Sequence, residues 1–315
     1  MQTTDIIIGI SACLAGQKVR FDTGHKRSGF CMDELGKYVE YQTFCPEMAI
    51  GLGTPRPTIR QVKHGDTIKV CRPDGSNDVF QQLQDYGNTI AASTQAMSGF
   101  IFCAKSPSCG IERIKVYHED GKGADHDGIG VFAKAIMDNN PNLPVEDSGR
   151  LNDASLKENF VLRVFTYHKW LELLKTGLNK HKLITFHSQH KYLVMSHHPV
   201  AYKALGKLLG ESTLSIEELQ QLYISQLMQA LKKVATRKSH TNTLQHLQGY
   251  FKRDLDSEKK RELTEKIEEY RQGLIPLLVP LTLISHYLRE FPNQYIASQI
   301  YLSPYPNDLR LRYSF

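Results

Sequence analysis

The sequence predicts an α/β domain followed by an all-α domain. In the first half, short apolar runs alternate with segments of helical periodicity, whereas the second half has helical periodicity and no convincing strand. Charge changes at the same place: residues 1–150 hold 16 Lys and Arg against 18 Asp and Glu, a net charge of −2, and residues 151–315 hold 23 against 15, a net charge of +8. All six cysteines lie between Cys13 and Cys109. We therefore expect two domains, residues 1–150 and 151–315.

The first domain is expected to contain a mostly parallel sheet with flanking helices. Short apolar runs predict strands over residues 5–10, 43–45, 67–70, 99–103 and 143–145. Longer segments predict helices over residues 30–39, 78–97 and 131–138, and residues 51–57 form a Gly/Pro-rich loop. Strands that alternate with helices favour parallel pairing, and ligands of such sheets bind beyond the carboxyl ends of the strands.

The second domain is predicted to be helical from about residue 151. Helices are expected over residues 152–175, 180–195, 216–237, 241–255 and 258–273, with loops at 206–213 and 256–257. Ser215 and Glu218 have the spacing of a capping box, which marks a helix start. A polar, Gly-containing linker at residues 146–152 is expected to separate the two domains.

The composition excludes several classes of protein. With 41% hydrophobic and 23% charged residues, 22 Gly and 13 Pro, the chain is not collagen-like, of low complexity or wholly disordered. No run reaches the roughly 18 apolar residues of a membrane span. The first residues, MQTTDIII, lack a charged leader with a long apolar segment, so we expect a cytoplasmic protein. In that reducing compartment, cysteines serve metal binding or catalysis rather than a disulfide framework.

Three of the cysteines have sequence settings that suit a bound cluster or anion. Cys13 lies in SACLAGQKVRFD, Cys45 in FCPE and Cys109 in KSPSCG, and each lies at or after the end of a predicted strand. One cleft at the carboxyl ends of the strands would therefore collect all three. The Pro and Gly residues beside them shape tight turns that expose backbone N–H groups. Their wide separation does not fit the C-x₂-C pairs of structural zinc sites.

Three thiolates suit a [4Fe–4S] cluster in which one iron has no protein ligand and acts as a Lewis acid toward soft sulfur. From the spacing alone, one catalytic cysteine with two spectators explains the pattern equally well. Cys103 ends the apolar run GFIFC and is expected to be buried packing. Cys31 and Cys71 are expected to be surface thiols without a role.

The first half resembles the thiouracil desulfidase (TudS) family. This resemblance covers roughly residues 5–150 and rests on ISACLAGQKVRFD, CPEMAIGLGTPRPTIR and AKSPSCG. The second half resembles the YbgA-type helical domain through FHSQHKYLVMSH, HTNTLQHLQGYFK, IEEYRQGLIPLLVPLTLISHY and QIYLSPYPNDLRLR. The fused arrangement is similar to RudS-type desulfidases. The resemblance therefore implies an iron–sulfur enzyme that removes sulfur from 4-thiouridine in tRNA without net electron transfer.

The resemblance also implies roles for individual residues. Cys13, Cys45 and Cys109 would bind the [4Fe–4S] cluster, whose fourth iron would take the substrate sulfur. Glu47 would be the general base toward a water that attacks C4, a task suited to a carboxylate with a raised pKa. Ser106 would donate to the developing charge or position the base. The alternatives are a carboxylate that caps its own turn and an ordinary turn hydroxyl.

The chain departs from the family pattern after the first cysteine motif. Single-domain members often have DGG where this chain has DTGHKRSGF, and the added basic residues can meet a phosphate. The candidates for substrate or RNA binding are Asp22, His25, Lys26, Arg27, Lys105 and Ser108.

The charge of +8 on residues 151–315 indicates an anionic partner, and thiolated tRNA is the partner that the resemblance implies. A base must leave its stack to reach a cleft, and phosphate contacts would offset that cost. The basic and aromatic candidates are Lys180, Lys182, Lys191, Lys203, Lys207, Lys232, Lys233, Arg237, Lys238, Tyr192, Tyr202 and Tyr250. The alternative is a solvated helical surface.

A group of histidines also lies in the second half. His187, His190, His197 and His198 fall within HSQHKYLVMSHH. We expect them to pack between helices or to face RNA, and a metal site is the alternative.

Three other functions stay open at this point. The chain could act on free thiouracil or thiouridine monophosphate, with the helical domain serving only in assembly. It could be a non-enzymatic iron–sulfur or redox-sensing module that binds RNA. It could also catalyse tRNA thiolation, although no G-x-x-x-x-G-K-[ST] loop for ATP is visible.

Overall fold

The computed structural model describes residues 5–211 and 213–312. Along the chain, two compact units meet between Asp153 and Ala154. The predicted fold class is confirmed, because the first unit is α/β and the second is helical. The linker predicted at 146–152 is wrong. Glu146 is buried within a strand, and its Oε1 accepts a hydrogen bond from Arg150 Nε at 2.6 Å.

The first unit contains eight strands and three α-helices among its described residues. The strands are β1 (Ile7–Ser11), β2 (Glu40–Phe44), β3 (Arg60–His64), β4 (Thr67–Cys71), β5 (Gly99–Phe102), β6 (Ile114–Tyr117), β7 (Ala124–Gly128) and β8 (Val145–Asp147). The helices are α1 (Pro46–Ala49), α2 (Phe80–Ser93) and α3 (Val131–Asn139). A π-helical turn at Phe30–Glu34 and a 3₁₀ turn at Leu35–Lys37 stand where an α-helix was expected.

The main sheet has the strand order β2-β1-β5-β8 and is parallel throughout. Its register pairs Ser11 with Phe44 and Ile10 with Ile101, so β1, β2 and β5 end at one edge. Gly9 allows close packing here, because a Cβ at this position would lie 2.3 Å from the ring of Phe100. The chain after each of these strands therefore begins at the same edge of the sheet.

A second, mixed sheet has the order β4-β3-β6-β7, and the sequence predicted only β4. The strand β3 has the sequence RQVKH and β7 has ADHDG, and neither contains an apolar run. Pairing with a neighbour, rather than burial of an apolar face, makes these segments strands. A small core under this sheet contains Val70, Val79 and Leu83.

The second unit is all helical. Its helices are α4 (Ala154–Lys175), α5 (Lys180–His197), α6 (Pro199–Glu211), α7 (Ile216–Lys232), α8 (Arg237–Gln248), α9 (Ser257–Gln272), α10 (Leu278–Glu290) and α11 (Gln294–Ala297). The capping box of Ser215 and Glu218 is confirmed at the start of α7. None of the described helices combines the length and the apolarity that crossing a membrane requires.

Several predictions in this unit are wrong. The loop expected from residue 206 is helical as far as 211, because Leu205 and Leu209 bury one face of α6; residue 212 lies outside the described residues. The helix expected over 216–237 ends at Lys232, and Thr236 caps a new one. The helix α10 has no counterpart among the predicted helices, the last of which ends at residue 273. Pro280 is tolerated because it lies in the first turn.

Candidate active site

A cavity of about 280 Å³ lies at the carboxyl edge of the parallel sheet. Cys13 follows β1, Cys45 follows β2 directly, and Cys109 lies in the loop after β5, and all three line the cavity. Cys103, the first residue after β5, lines it as well. The structure thus brings the three predicted cysteines to one site and adds a fourth thiol that was expected only to pack.

The loop that carries Cys109 is held from several sides. The Ser106 hydroxyl accepts hydrogen bonds from the backbone N–H of Ser108 at 3.2 Å and of Cys109 at 3.1 Å. From β3, Gln61 Nε2 donates to the Pro107 carbonyl at 2.9 Å. Gly130, before α3, allows the helix to approach, because a Cβ there would lie 2.5 Å from the Ser108 carbonyl carbon. The loop conformation therefore depends on the second sheet and on α3.

Glu47 lies in the first turn of α1 and lines the same cavity. Arg56 donates to Glu47 Oε2 through Nε, at 3.1 Å, and through Nη2, and its Nη1 donates to the Gly53 carbonyl. The hydroxyl of Ser108 donates to Glu47 Oε1 at 2.9 Å. Both carboxylate oxygens thus have donors from well-buried side chains, so the orientation of Glu47 beside the cysteines is fixed.

The protonation of the thiols depends on burial and on their mutual contacts. A hydrogen bond with Cys103, together with burial, raises the pKa of Cys13, while that same bond lowers the pKa of Cys103 to about 7. Burial raises the pKa of Cys45, and burial with the nearby Glu47 charge raises that of Cys109. Without a bound cation, most of these thiols are therefore neutral.

The donor set at this cavity fits an iron–sulfur cluster. Cysteine thiolates are the usual ligands of such clusters, and coordination to a metal deprotonates a thiol. Four basic side chains line the cavity and would balance the negative charge of the thiolates: Arg20, Lys26, Arg56 and Lys105. Within residues 5–211 and 213–312, no three His, Cys, Asp or Glu side chains are grouped to hold a single metal ion.

The substrate-binding candidates separate into two groups. Lys26 and Lys105 line the cavity. The others do not. Asp22 Oδ1 accepts a hydrogen bond from the Gly24 N–H, and Arg27 forms an exposed two-point ion pair with Asp33.

His25 and Ser108 also have local partners. The ring Nδ1 of His25 accepts a hydrogen bond from the Arg27 N–H. Ser108 is fully buried, so its contact is with Glu47 rather than with a ligand in the cavity.

Two site residues had no role in the sequence-based prediction. Arg56 lies within the motif CPEMAIGLGTPRPTIR. Its position in the Gly/Pro-rich loop of that motif is the only feature of the sequence that could have indicated a role at the site. Cys103 differs from a core cysteine in that it directly follows a strand, as Cys45 does. Cys31 and Cys71 are buried, which corrects the expectation of surface thiols.

Two of the four candidate histidines, His190 and His197, are buried in the helical unit. His190 Nδ1 lies 2.7 Å from the Phe186 carbonyl, and His197 Nδ1 lies 2.7 Å from the Lys233 carbonyl. Burial lowers the pKa of His190 to about 3 and of His197 to about 4, so both rings are neutral at neutral pH.

The basic and aromatic candidates of this unit lie in different environments. Lys203, Lys232 and Lys238 are exposed, whereas Lys182 Nζ donates to the Thr176 and Gly177 carbonyls after α4. Tyr192 is buried, so it is not available for base stacking.

Comparison with known proteins divides the chain in the same way. The family model "2-thiouracil desulfurase" matches residues 8–148, and the model "Protein of unknown function (DUF1722)" matches residues 191–306. The uncharacterized protein YbgA of Escherichia coli (strain K12) is 30% identical over 167 residues, which are 52% of this chain and 96% of the relative.

One solved structure is also similar. It is a [4Fe–4S]-dependent thiouracil desulfidase, TudS, with 28% identity over 47% of this chain and 93% of that chain, and a TM-score of 0.38. The family matches agree with the sequence motifs and with the two units of the structure. The chain therefore matches the 2-thiouracil desulfurase family model over residues 8–148, and through its second unit it belongs to the YbgA-like family.

Proposed function

We propose that this protein is a tRNA 4-thiouridine desulfidase that converts the C4=S group of the base to C4=O and releases sulfide. The family of the first unit indicates desulfuration of a thiolated pyrimidine. One observation carries the proposal: a carboxylate fixed by Arg56 and Ser108 lies in the same cavity as Cys13, Cys45 and Cys109. This arrangement combines a base for water with ligands for a sulfur-binding group.

Cys13, Cys45 and Cys109 would hold a [4Fe–4S] cluster. When bound, such a cluster supplies an iron without a protein ligand, which is a Lewis acid with affinity for sulfur. The cationic side chains of the cavity, among them Lys26 and Lys105, would balance the charge of the thiolates. A cluster needs reduced thiols, and a cytoplasmic location would supply them.

Glu47 would act on water. Its carboxylate accepts a proton from a water molecule that attacks C4, the new C–O bond forms, and the C–S bond breaks. Sulfide and uridine result, and no electrons are exchanged. Arg56 and Ser108 hold the carboxylate in one orientation through the attack. Ser106 would act indirectly, since its hydroxyl oxygen accepts bonds from the Ser108 and Cys109 N–H groups.

Charge supports RNA as the source of the base. Residues 151–315 carry a net charge of +8, whereas residues 1–150 carry −2. Extruding a base from a tRNA stem or loop costs a few kcal/mol, and phosphate contacts to a basic surface offset that cost. The exposed Lys203, Lys232 and Lys238 are candidates for such contacts.

The direct test uses the full-length protein, reconstituted anaerobically with iron and sulfide. It is incubated with tRNA that contains 4-thiouridine, and the nucleosides are then separated and quantified by mass spectrometry. We expect loss of 4-thiouridine with equal gain of uridine. The same measurement is made with free 4-thiouracil, 2-thiouracil and 4-thiouridine monophosphate at equal concentration.

Two variants make the test specific. Glu47→Gln should lose turnover while it keeps the cluster absorbance, whereas Glu40→Gln, an exposed glutamate at the start of β2, should behave like the wild type. Turnover of the small substrates but not of tRNA would overturn the RNA assignment. Binding of tRNA without sulfide release would identify a non-enzymatic module, and gain of 4-thiouridine would identify the reverse chemistry.

A further inference from the structure

The helical unit contains a polar cavity that has no part in the proposed desulfuration. Its volume is about 170 Å³, more than ten times the roughly 10–15 Å³ that a single water needs. Its charged and polar lining comes from three helices and from the segment after α11: Glu158, Asn159, His197, Arg237, His240 and Arg312.

Arg312 is the most informative of these side chains. It is only 7% exposed, which is rare for a guanidinium. Its Nε donates to Glu158 Oε1 at 2.9 Å, and its Nη1 donates to the Tyr301 carbonyl at 2.7 Å. Its Nη2 is buried and has no partner among the residues that the structure describes. A buried, charged donor without an acceptor is costly, and the Arg312 side chain also lines the cavity.

A second guanidinium lines the cavity. Arg237 is the first residue of α8, and its Nη1 donates to the Tyr270 carbonyl at 2.9 Å. The one carboxylate of the lining, Glu158, already accepts hydrogen bonds from Arg312 and from the Tyr305 hydroxyl, the latter at 2.7 Å. With both histidine rings kept neutral by burial, the lining has a net charge of +1.

Two helix amino termini add to this positive potential. The cavity is lined by Ala154 and Ser155 from the first turn of α4 and by Pro276 and Leu277 just before α10. First-turn N–H groups lack intrahelical acceptors, and each helix start carries the equivalent of about half a positive charge. Such termini favour anions, above all groups with several oxygens.

We propose that this cavity binds a phosphate monoester group, either as free phosphate or as the terminal phosphate of a nucleotide. Two guanidiniums line the cavity and match the several oxygens of a phosphate. The net positive lining disfavours a cation, and the buried polar side chains disfavour an apolar ligand.

The test follows the NMR signals of the histidines in the full-length protein. His240 is the reporter because it lines the cavity, and its Nδ1 lies within hydrogen-bond distance of the Tyr301 hydroxyl, at 2.9 Å. His240→Gln assigns the signal. Sodium phosphate, uridine 5′-monophosphate and uridine are titrated separately, with sodium chloride at matched ionic strength as reference. We expect a saturable shift with phosphate and with the monophosphate, and none with uridine or chloride. Tighter binding of the monophosphate would identify the nucleotide as the source.

Arg237→Gln is the test variant, because removing the buried Arg312 would break its ion pair with Glu158 and endanger folding. The dissociation constant should rise about tenfold or more in Arg237→Gln. It should not change in Arg289→Gln, an exposed arginine of α10 that lies outside the lining. Fluorescence of Trp170 confirms that each variant is folded. An equal shift with uridine or chloride, no saturable shift, or unchanged affinity in Arg237→Gln would overturn the proposal.

Discussion

The hydrogen bonds of Glu47 predict that Arg56 controls turnover without contributing to substrate binding. Arg56 is buried, and its donors are used by Glu47 and by the Gly53 carbonyl. Arg56→Lys keeps the positive charge. A lysine ammonium, however, lacks the planar fork by which Arg56 donates twice to Glu47 Oε2 and also to the Gly53 carbonyl.

The size of the effect follows from the bond that is lost. A hydrogen bond to a charged group contributes about 1.5–3 kcal/mol, so if it serves to orient Glu47, its loss lowers kcat by about 10- to 150-fold. The Michaelis constant should stay within about twofold, since Nε, Nη1 and Nη2 of Arg56 all donate to groups of the protein. Ser108→Ala, which removes the donor to Oε1, should act in the same direction.

The assay measures sulfide release from thiolated tRNA under single-turnover conditions, with cluster content set equal by iron analysis. Arg113→Lys, an exposed arginine of the same unit, serves as the control and should match the wild type. A wild-type rate in Arg56→Lys would refute the positioning of Glu47 by this side chain. So would a rise in the Michaelis constant with an unchanged kcat.

Other predictions concern the cluster, pH and salt. Cys103→Ala should keep cluster iron and turnover, as should Cys71→Ala, because three cysteines suffice for a cluster with one open iron; loss of iron in Cys103→Ala would instead indicate four protein ligands. The helical unit should lose stability as the pH falls below 6.5, because the unfolded chain then protonates His190 and His197 while burial holds their folded pKa values at about 3 and 4. At about pH 5 each contributes a loss of about 2 kcal/mol. Urea unfolding followed by the fluorescence of Trp170, the single tryptophan of the chain, measures this loss, and a midpoint that does not move with pH would contradict it. Affinity for tRNA should fall at least about tenfold between about 50 and 200 mM salt, and binding that ignores salt would exclude phosphate contact as its basis.

The two central strands of the main sheet, β1 and β5, were predictable because burial on both faces requires continuous apolar runs. Residues 99–103 are the clearest case, and the structure has β5 there. The second sheet was not predictable in the same way. Its strands β3 and β7 carry charged and polar residues, and only pairing with neighbours that are distant in sequence makes them strands.

The candidate site was partly predictable for a similar reason. Cys13, Cys45 and Cys109 follow strands, and the topology of a parallel sheet brings strand ends together. The ion pair of Glu47 with Arg56 depends on how a Gly/Pro-rich loop folds back, which no periodicity specifies. The position of Cys103 at the cavity likewise depends on where β5 ends.

The central claim is that water, activated by Glu47, replaces the substrate sulfur at the cysteine-lined cavity. The most direct test is desulfuration of thiolated tRNA by the reconstituted protein in ¹⁸O-labelled water, with sulfide and labelled uridine quantified in the same sample. The mechanism predicts one sulfide for each uridine formed, with the heavy oxygen in the uracil ring, and neither product in Glu47→Gln at equal cluster content. Uridine without the label, or full conversion by Glu47→Gln, would contradict it.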